Sequence, residues 1–325
     1  MGMQVIIAAG VAFLVSALTG PYWINLLRRL KFGQKILEDG PTWHMNKQGT
    51  PTMGGFIFIT GITAAVAVVT LISSSETPDW RPLLMFGLSL LFAGIGFVDD
   101  WTKVKKKQNK GLTVVQKLLL QIAAATLFIT LLRVLGYCSG EIYLPFIKVT
   151  LLPSWIVYLA FAVFAIVGVV NAVNLTDGVD GLCASVTFVV AAYFAIELYA
   201  SALGASAAFA TAVCGGLLGF LLYNKNPARV FMGDTGSLFL GGTVCAMAFV
   251  YDMPMIMVFV GLIYVLTALS DVIQVGYFKL THGKRVFKMA PFHHHLEKCG
   301  WSERKIGFVY TLVTAVMCAL SLLFA

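Results

Sequence analysis

Five aspartates, in three groups separated by long apolar stretches, are the residues best suited to chemistry. Asp99 and Asp100 are adjacent, Asp177 and Asp180 are close together, and Asp234 follows a glycine. Paired carboxylates suit a phosphate substrate carried with Mg²⁺, because that ion takes one or two carboxylates together with phosphate oxygens and water. A single acid at a helix start can instead be a cap or a partner of the helix dipole. The five together predict a phosphate and Mg²⁺ site.

Glycine-rich segments accompany these acids. They are Asn174-Leu-Thr-Asp-Gly-Val-Asp-Gly181, Gly233-Asp-Thr-Gly-Ser237 and Lys47-Gln-Gly-Thr-Pro-Thr-Met-Gly-Gly55. Small residues beside a helix N-terminus expose backbone N–H groups that bind phosphate. Lys47 adds a point charge. The alternative for residues 47–55 is a turn with a lysine that reports only membrane topology.

A histidine triplet, His293, His294 and His295, follows Pro291 and Phe292 in a chain with only five histidines. Three consecutive side chains diverge along any regular backbone, so they cannot all face one metal ion. Contacts to phosphate or sugar oxygens are therefore favoured over zinc, and a solvated loop is the alternative.

The elements that position these residues must cross a membrane. The 325 residues are 59% hydrophobic and 12% charged, with a mean hydropathy of +0.86, which is more apolar side chain than a soluble core buries. A crossing needs roughly 20 apolar residues. The runs predict ten spans, at 3–27, 53–74, 82–98, 114–136, 153–173, 181–201, 205–223, 235–251, 254–277 and 306–325.

The distribution of cations predicts the orientation of the spans. The connections after spans 1, 3, 5, 7 and 9, with their borders, carry 5, 6, 0, 2 and 7 Lys and Arg, which is 20 of the 23 in the chain. The positive-inside rule makes these connections cytoplasmic, so both termini face outward and the acids share the cytoplasmic face. Anionic membrane lipid accounts for the net charge of +8 without any nucleic acid.

The rest of the chain indicates a single membrane domain over residues 1–325. There is no fixed-period repeat, and the first apolar run is too long for a signal peptide. The six cysteines have no Cys-x-x-Cys spacing, which supports neither zinc nor disulfides. Residues 137–152 contain β-branched and aromatic residues suited to a small outer β-hairpin. We therefore expect an all-α polytopic membrane protein with one hairpin.

The combined motifs resemble those of one enzyme family. The segments Lys47–Gly55, Asp99-Asp100-Trp101, Asn174–Gly181, Asn224–Ser237 and Pro291–His295 are similar, in order and spacing, to those of the phospho-N-acetylmuramoyl-pentapeptide transferases. These belong to the polyprenyl-phosphate N-acetylhexosamine-1-phosphate transferases, which share the acidic motifs. The histidine triplet resembles the peptidoglycan branch rather than the GlcNAc-1-phosphate transferases, which remain an alternative.

The resemblance implies transfer of phospho-MurNAc-pentapeptide from UDP-MurNAc-pentapeptide to undecaprenyl phosphate, with Mg²⁺, in the bacterial inner (plasma) membrane. It implies Asp234 as the Mg²⁺ ligand, Asp99 as the base on the lipid phosphate and Asp100 as a supporting acid. Direct attack and a covalent aspartyl intermediate both remain open. A homodimer is what the family suggests.

The resemblance also implies a set of substrate-binding residues around the nucleotide and phosphates. Phe231 joins the set because an aromatic face three residues before Asp234 can stack on uracil, with core packing as the alternative. The set is Lys47, Lys117, Asn174, Asp177, Gly178, Asp180, Asn224, Phe231, His293, His294 and His295.

Two residues depart from the family pattern, and one other class of protein is possible. Trp101 stands where tyrosine is expected, and Asp271 lies late in span 9 where an apolar residue is expected. A carboxylate at that depth should face protein or water. A transporter would also carry sparse, paired charges, but inside its spans rather than at their cytoplasmic ends.

Overall fold

The computed structural model describes residues 2–30, 47, 49–72, 79–106, 111–145 and 147–323. Ten helices of this described part are long and apolar enough to cross a membrane. They are α1 (Gly2–Arg29), α2 (Gly55–Ile72), α3 (Arg81–Lys105), α4 (Val114–Val134), α5 (Trp155–Thr176), α6 (Leu182–Ala200), α7 (Gly204–Asn224), α8 (Gly233–Val250), α10 (Leu262–Leu280) and α12 (Glu303–Ser321). The predicted all-α polytopic fold is confirmed.

Two short strands and two short helices accompany the ten long helices. Strands β1 (Ile142–Leu144) and β2 (Val149–Leu151) pair antiparallel, with Tyr143 opposite Thr150, which confirms the hairpin. Two short helices, α9 (Met257–Val260) and α11 (Phe292–Lys298), flank α10. The histidine triplet therefore lies on a helix and not in an extended loop.

Helix α8 is the centre of the bundle. In its apolar window 89% of the residues are buried, against 17% in α1. It packs against α3, α5 and α2, while α1 packs on α7 and α2, and α6 on α7 and α12. Because α8 is rich in Gly, Ala, Ser and Thr, its neighbours approach its backbone closely, as is typical of helix packing in membranes. A central helix of this kind holds Asp234 at a defined place.

The predicted ninth span differs from the structure. Residues 254–256 form a 3₁₀ turn, α9 ends at Val260, and the long helix begins only at Leu262. Pro254 starts the turn and Gly261 separates the two helices, and both residue types are unfavourable in helix interiors.

The six cysteines are free thiols, and among them only Cys299 is exposed.

Candidate active site

Three carboxylates form a cluster where α3 ends and α8 begins. Asp99 and Asp100 lie in the last two turns of α3, and Asp234 lies in the first turn of α8. One oxygen from each of the three lies within 4.8 Å of the other two. Any Cβ on Gly96 would collide with the backbone carbonyl of Asp234. The close approach of α3 to α8 therefore depends on a glycine one turn before Asp100.

Lys103, which sequence reasoning missed, lies among the three acids. Its Nζ is 2.6 Å from Asp99 Oδ2, 3.1 Å from Asp234 Oδ2 and 3.9 Å from Asp100 Oδ1. The spacing carried the signal, because residues three and four apart share a helix face. The lysine balances part of the negative charge that the three carboxylates concentrate.

The two acids of α3 hold different neighbours. Asp100 Oδ2 accepts hydrogen bonds from Thr235 N at 2.9 Å and Thr235 Oγ1 at 2.8 Å, at the start of α8. Asp99 Oδ1 accepts one from Leu112 N at 2.9 Å, just before α4. Both acids are buried. Asp100 therefore anchors α8, while Asp99 joins the α3–α4 connection to the cluster.

Asp234 is the point where α4, α5 and α8 meet. Its Oδ2 accepts a hydrogen bond from Lys117 Nζ at 2.9 Å, and its Oδ1 accepts one from Asn174 Nδ2 at 3.0 Å. Asn174 Nδ2 also lies 2.7 Å from Ser237 Oγ. A capping box at Thr113 fixes the start of α4, one turn before Lys117. Two lysines and an amide thus surround one carboxylate.

Asp177 and Gly178 follow α5, and Gly178 lies against the histidine helix. Burial raises the pKa of the Asp177 carboxyl well above its usual range, and the charges of Asp234 and Asp100 add to the effect. A Cβ on Gly178 would overlap the imidazole of His293. Only glycine therefore lets the α5–α6 connection meet α11 at this distance.

Lys47, which precedes α2, bridges two acids. Its Nζ lies 2.7 Å from Asp180 Oδ1 and 2.7 Å from Glu303 Oε2. Glu303, in the first turn of α12, is the second residue that sequence reasoning missed. The motifs carry no signal for it, because the bridge joins segments at opposite ends of the chain.

Asn224 and Phe231 frame the connection between α7 and α8. Asn224 Oδ1 accepts a hydrogen bond from Gly181 N at 3.1 Å, and its Nδ2 donates to Val230 O at 2.9 Å. The backbone N–H of Phe231 donates to Pro51 O at 2.9 Å, and its ring is half-buried. Asn224 therefore acts on the backbone, while Phe231 keeps part of its ring accessible.

The three histidines of α11 have three different surroundings. His293 is fully buried, with its ring centroid 4.3 Å from that of His294. His294 Nδ1 lies 2.6 Å from Glu297 Oε2. His295 Nδ1 accepts a hydrogen bond from Lys288 N at 3.0 Å. Among the predicted residues, His293 is thus the histidine that contacts the 174–181 segment.

The two departures from the family pattern lie beside the site. Trp101 is half-exposed and stacks on Phe97 with a centroid distance of 5.9 Å. Asp271 is half-buried in α10 and lies within electrostatic reach of His294. His294 is therefore the neighbour of Asp271 that could not be named from the sequence.

The fold and the site together define a class of protein: a multi-pass membrane protein in which, among the described residues, acids and lysines meet at one end of a bundle of ten long helices. The profile of Glycosyl transferase family 4 matches residues 82–252. The signature described as Phospho-N-acetylmuramoyl-pentapeptide-transferase signature 1 matches residues 47–59.

Similar proteins narrow the class. A Phospho-N-acetylmuramoyl-pentapeptide-transferase of Clostridium acetobutylicum is 47% identical over 315 residues, covering 96% of both chains. One of a Thermoanaerobacter species is 46% identical over 321 residues, covering 99% of this chain and 98% of the relative. One of Clostridium perfringens is 43% identical over 315 residues, covering 97% and 96%. The chain belongs to the phospho-N-acetylmuramoyl-pentapeptide transferase family. It is a multi-pass protein of the bacterial inner (plasma) membrane.

Proposed function

We propose that this chain transfers phospho-MurNAc-pentapeptide from UDP-MurNAc-pentapeptide to undecaprenyl phosphate. A lipid phosphate oxygen attacks the β-phosphorus of the nucleotide, the pyrophosphate bond breaks, and UMP leaves. The product is the first lipid intermediate of peptidoglycan synthesis. The observation that carries the proposal is the meeting of Asp99, Asp100 and Asp234 with Lys103 and Lys117 at one end of the bundle.

Charge explains why this cluster suits the reaction. Two phosphorylated substrates repel each other, so cations must balance charge as the new bond forms. Lys103 and Lys117 supply two positive charges, and both ammonium groups contact Asp234 Oδ2. We assign Asp99 as the base that accepts the proton of the lipid phosphate and Asp100 as the acid that supports the cluster.

The cluster fits a divalent cation of the Mg²⁺ type. Three carboxylates offer hard oxygen donors within 4.8 Å of one another, which is the donor chemistry that Mg²⁺ prefers. Asp234 would hold the ion, with Asp99 and Asp100 beside it. When bound, Mg²⁺ would neutralise charge on the phosphate oxygens.

The surrounding residues bind the nucleotide and its phosphates in this proposal. Phe231 stacks on the uracil, because its half-buried ring offers a flat face. Asn174, Asp177, Gly178 and His293 border the phosphates. Lys47, Asp180, Asn224, His294 and His295 complete the pocket.

The arrangement of the protein in the membrane follows the same proposal. The single domain has its active site on the cytoplasmic face and both termini outside, because the cation-rich connections lie at that face. Two copies form a homodimer. The relatives' names favour the MurNAc-pentapeptide donor over UDP-GlcNAc, and a transferase over a transporter.

Purified protein should be incubated with undecaprenyl phosphate, Mg²⁺ and either UDP-MurNAc-pentapeptide or UDP-GlcNAc. We expect UMP release with the first nucleotide only. Release with UDP-GlcNAc alone would identify the related GlcNAc-1-phosphate transferase activity. The absence of UMP with both nucleotides would reject a transferase function.

A further inference from the structure

The bridge around Lys47 ties three distant segments together. Lys47 Nζ contacts Asp180 Oδ1 and Glu303 Oε2, each at 2.7 Å. Glu303 Oε2 also accepts a hydrogen bond from the backbone N–H of Asp180 at 3.2 Å. Glu303 therefore contacts both the lysine and the loop that carries the lysine's other partner.

The acceptor capacity of Asp180 is taken by protein groups. Its Oδ2 accepts hydrogen bonds from Asn226 Nδ2 at 3.2 Å and Ala228 N at 2.9 Å, while Oδ1 holds Lys47. The carboxylate is buried, with 2% of its side chain exposed. A carboxylate that already has three partners contributes to the pocket by holding it together.

The position of Glu303 at the start of α12 stabilises its negative charge and fixes its carboxylate beside Lys47. It lies in the first turn of α12, where the helix dipole favours a negative charge. Ser302 caps the same helix by accepting a hydrogen bond from Lys305 N at 3.3 Å. Only 16% of the Glu303 side chain is exposed, so water screens its contact with Lys47 weakly.

The segment that follows Lys47 in the chain reaches the backbone of Phe231, the residue proposed to stack on the uracil. Gly54 N donates a hydrogen bond to Phe231 O at 2.7 Å, and Gly55 N donates to Met232 O at 3.0 Å. The position of Lys47 is thus linked, within a few residues, to the backbone that carries Phe231. A shift of the lysine would change the edge of the nucleotide pocket.

We propose that Glu303 is a positioning residue of the nucleotide site, which acts by holding the Lys47 ammonium in place with Asp180. An ammonium has three N–H donors, and two of them point to these carboxylates. The third serves an oxygen of the uridine nucleotide. This inference rests on the proposed function, since it assumes a uridine nucleotide as the donor substrate.

The variant Glu303→Gln tests the role, because glutamine keeps the shape and removes the charge. At saturating undecaprenyl phosphate, we expect the KM for UDP-MurNAc-pentapeptide to rise roughly tenfold. The kcat and the KM for the lipid should stay close to the wild-type values. Glu303→Asp should recover part of the loss, and Glu141→Gln, an exposed acid in the segment of the hairpin, is the matched control.

A double-mutant cycle with Lys47→Met separates positioning from general stability. If Glu303 acts through Lys47, the double variant should have the same KM as Lys47→Met alone. Effects that multiply would overturn the proposal, as would an unchanged KM in Glu303→Gln. A fall in kcat and in the affinities for both substrates, together with a lowered melting temperature, would assign Glu303 a structural role only.

A binding measurement distinguishes failure of this inference from failure of the proposed function. UDP binding to the wild type and to Glu303→Gln can be measured by calorimetry without any turnover. We expect roughly tenfold weaker binding in the variant. If the wild type releases no UMP, the proposed function fails, whereas equal UDP affinities reject the role of Glu303.

Discussion

Replacing Asp234 by asparagine separates the chemistry of the acidic cluster from its contribution to folding. The carboxylate accepts hydrogen bonds from Lys117 at 2.9 Å and Asn174 at 3.0 Å, and its Oδ2 lies 3.1 Å from Lys103. Asparagine keeps the size of the side chain but removes the charge. We therefore expect a large loss of turnover with little loss of stability.

The expected loss of stability and the expected loss of turnover can each be given a magnitude. Only 20% of the Asp234 side chain is exposed, so water screens its pairs with Lys103 and Lys117 incompletely, but Lys103 keeps Asp99 as a partner at 2.6 Å. The loss of the Asp234 charge therefore costs about 1–2 kcal/mol. In a chain of 325 residues that lowers the melting temperature by roughly 1–3 °C. Losing one preorganised electrostatic group costs roughly 10²–10³ in kcat.

The assay is UMP release at saturating substrates over a range of Mg²⁺ concentrations, with the melting temperature measured in parallel. The matched control is Asp252→Asn. That acid lies beyond α8, at the opposite end from Asp234, and accepts a hydrogen bond from Ser139 N at 3.2 Å. Turnover of Asp234→Asn within tenfold of the wild type at limiting Mg²⁺ would refute the reasoning.

Three further predictions concern topology, the histidine helix and Asp177. An impermeant thiol reagent added outside intact cells should leave Cys299, the exposed cysteine, unlabelled; labelling would contradict the orientation. Alanine at His293, His294 or His295 should impair activity unequally in folded protein, because His293 lies against Gly178, while His294 contacts Glu297 and His295 contacts Lys288; equal effects, or zinc lost together with stability, would contradict this. Burial raises the folded pKa of Asp177, so the wild type loses stability as pH rises above about 4. In the presence of a chelator, the melting temperature of Asp177→Asn minus that of the wild type should increase from about pH 4 to about pH 7. A difference that stays constant with pH would reject the raised pKa of Asp177.

The long helices were predictable because a helix that crosses the hydrocarbon core of a membrane needs roughly 20 consecutive, mostly apolar residues. The hairpin followed from β-branched residues between Glu141 and Leu152. The interruption at Gly261 was not predictable from hydropathy, because the residues on both sides are apolar. Helix α11 was also missed, since three adjacent histidines in a polar connection resemble a loop.

Part of the candidate site could be predicted from the short motifs that carry its acids. Asp99, Asp100 and Asp234 come together because α3 and α8 pack closely. Lys103 could have been found from its spacing after Asp99 on one helix. Glu303 could not, because its contact with Lys47 depends on where α12 lies in the bundle, and one sequence carries no local sign of that long-range pairing.

The most direct test of the proposed transfer reaction follows a radioactive β-phosphate from the nucleotide to the lipid. UDP-MurNAc-pentapeptide carrying ³²P in the β-phosphate should be incubated with the purified protein, undecaprenyl phosphate and Mg²⁺, and the lipid fraction extracted. Attack at the β-phosphorus predicts that the label moves into the lipid while unlabelled UMP is released. Label that stays in the aqueous fraction, in the presence of folded protein and both substrates, would contradict the account.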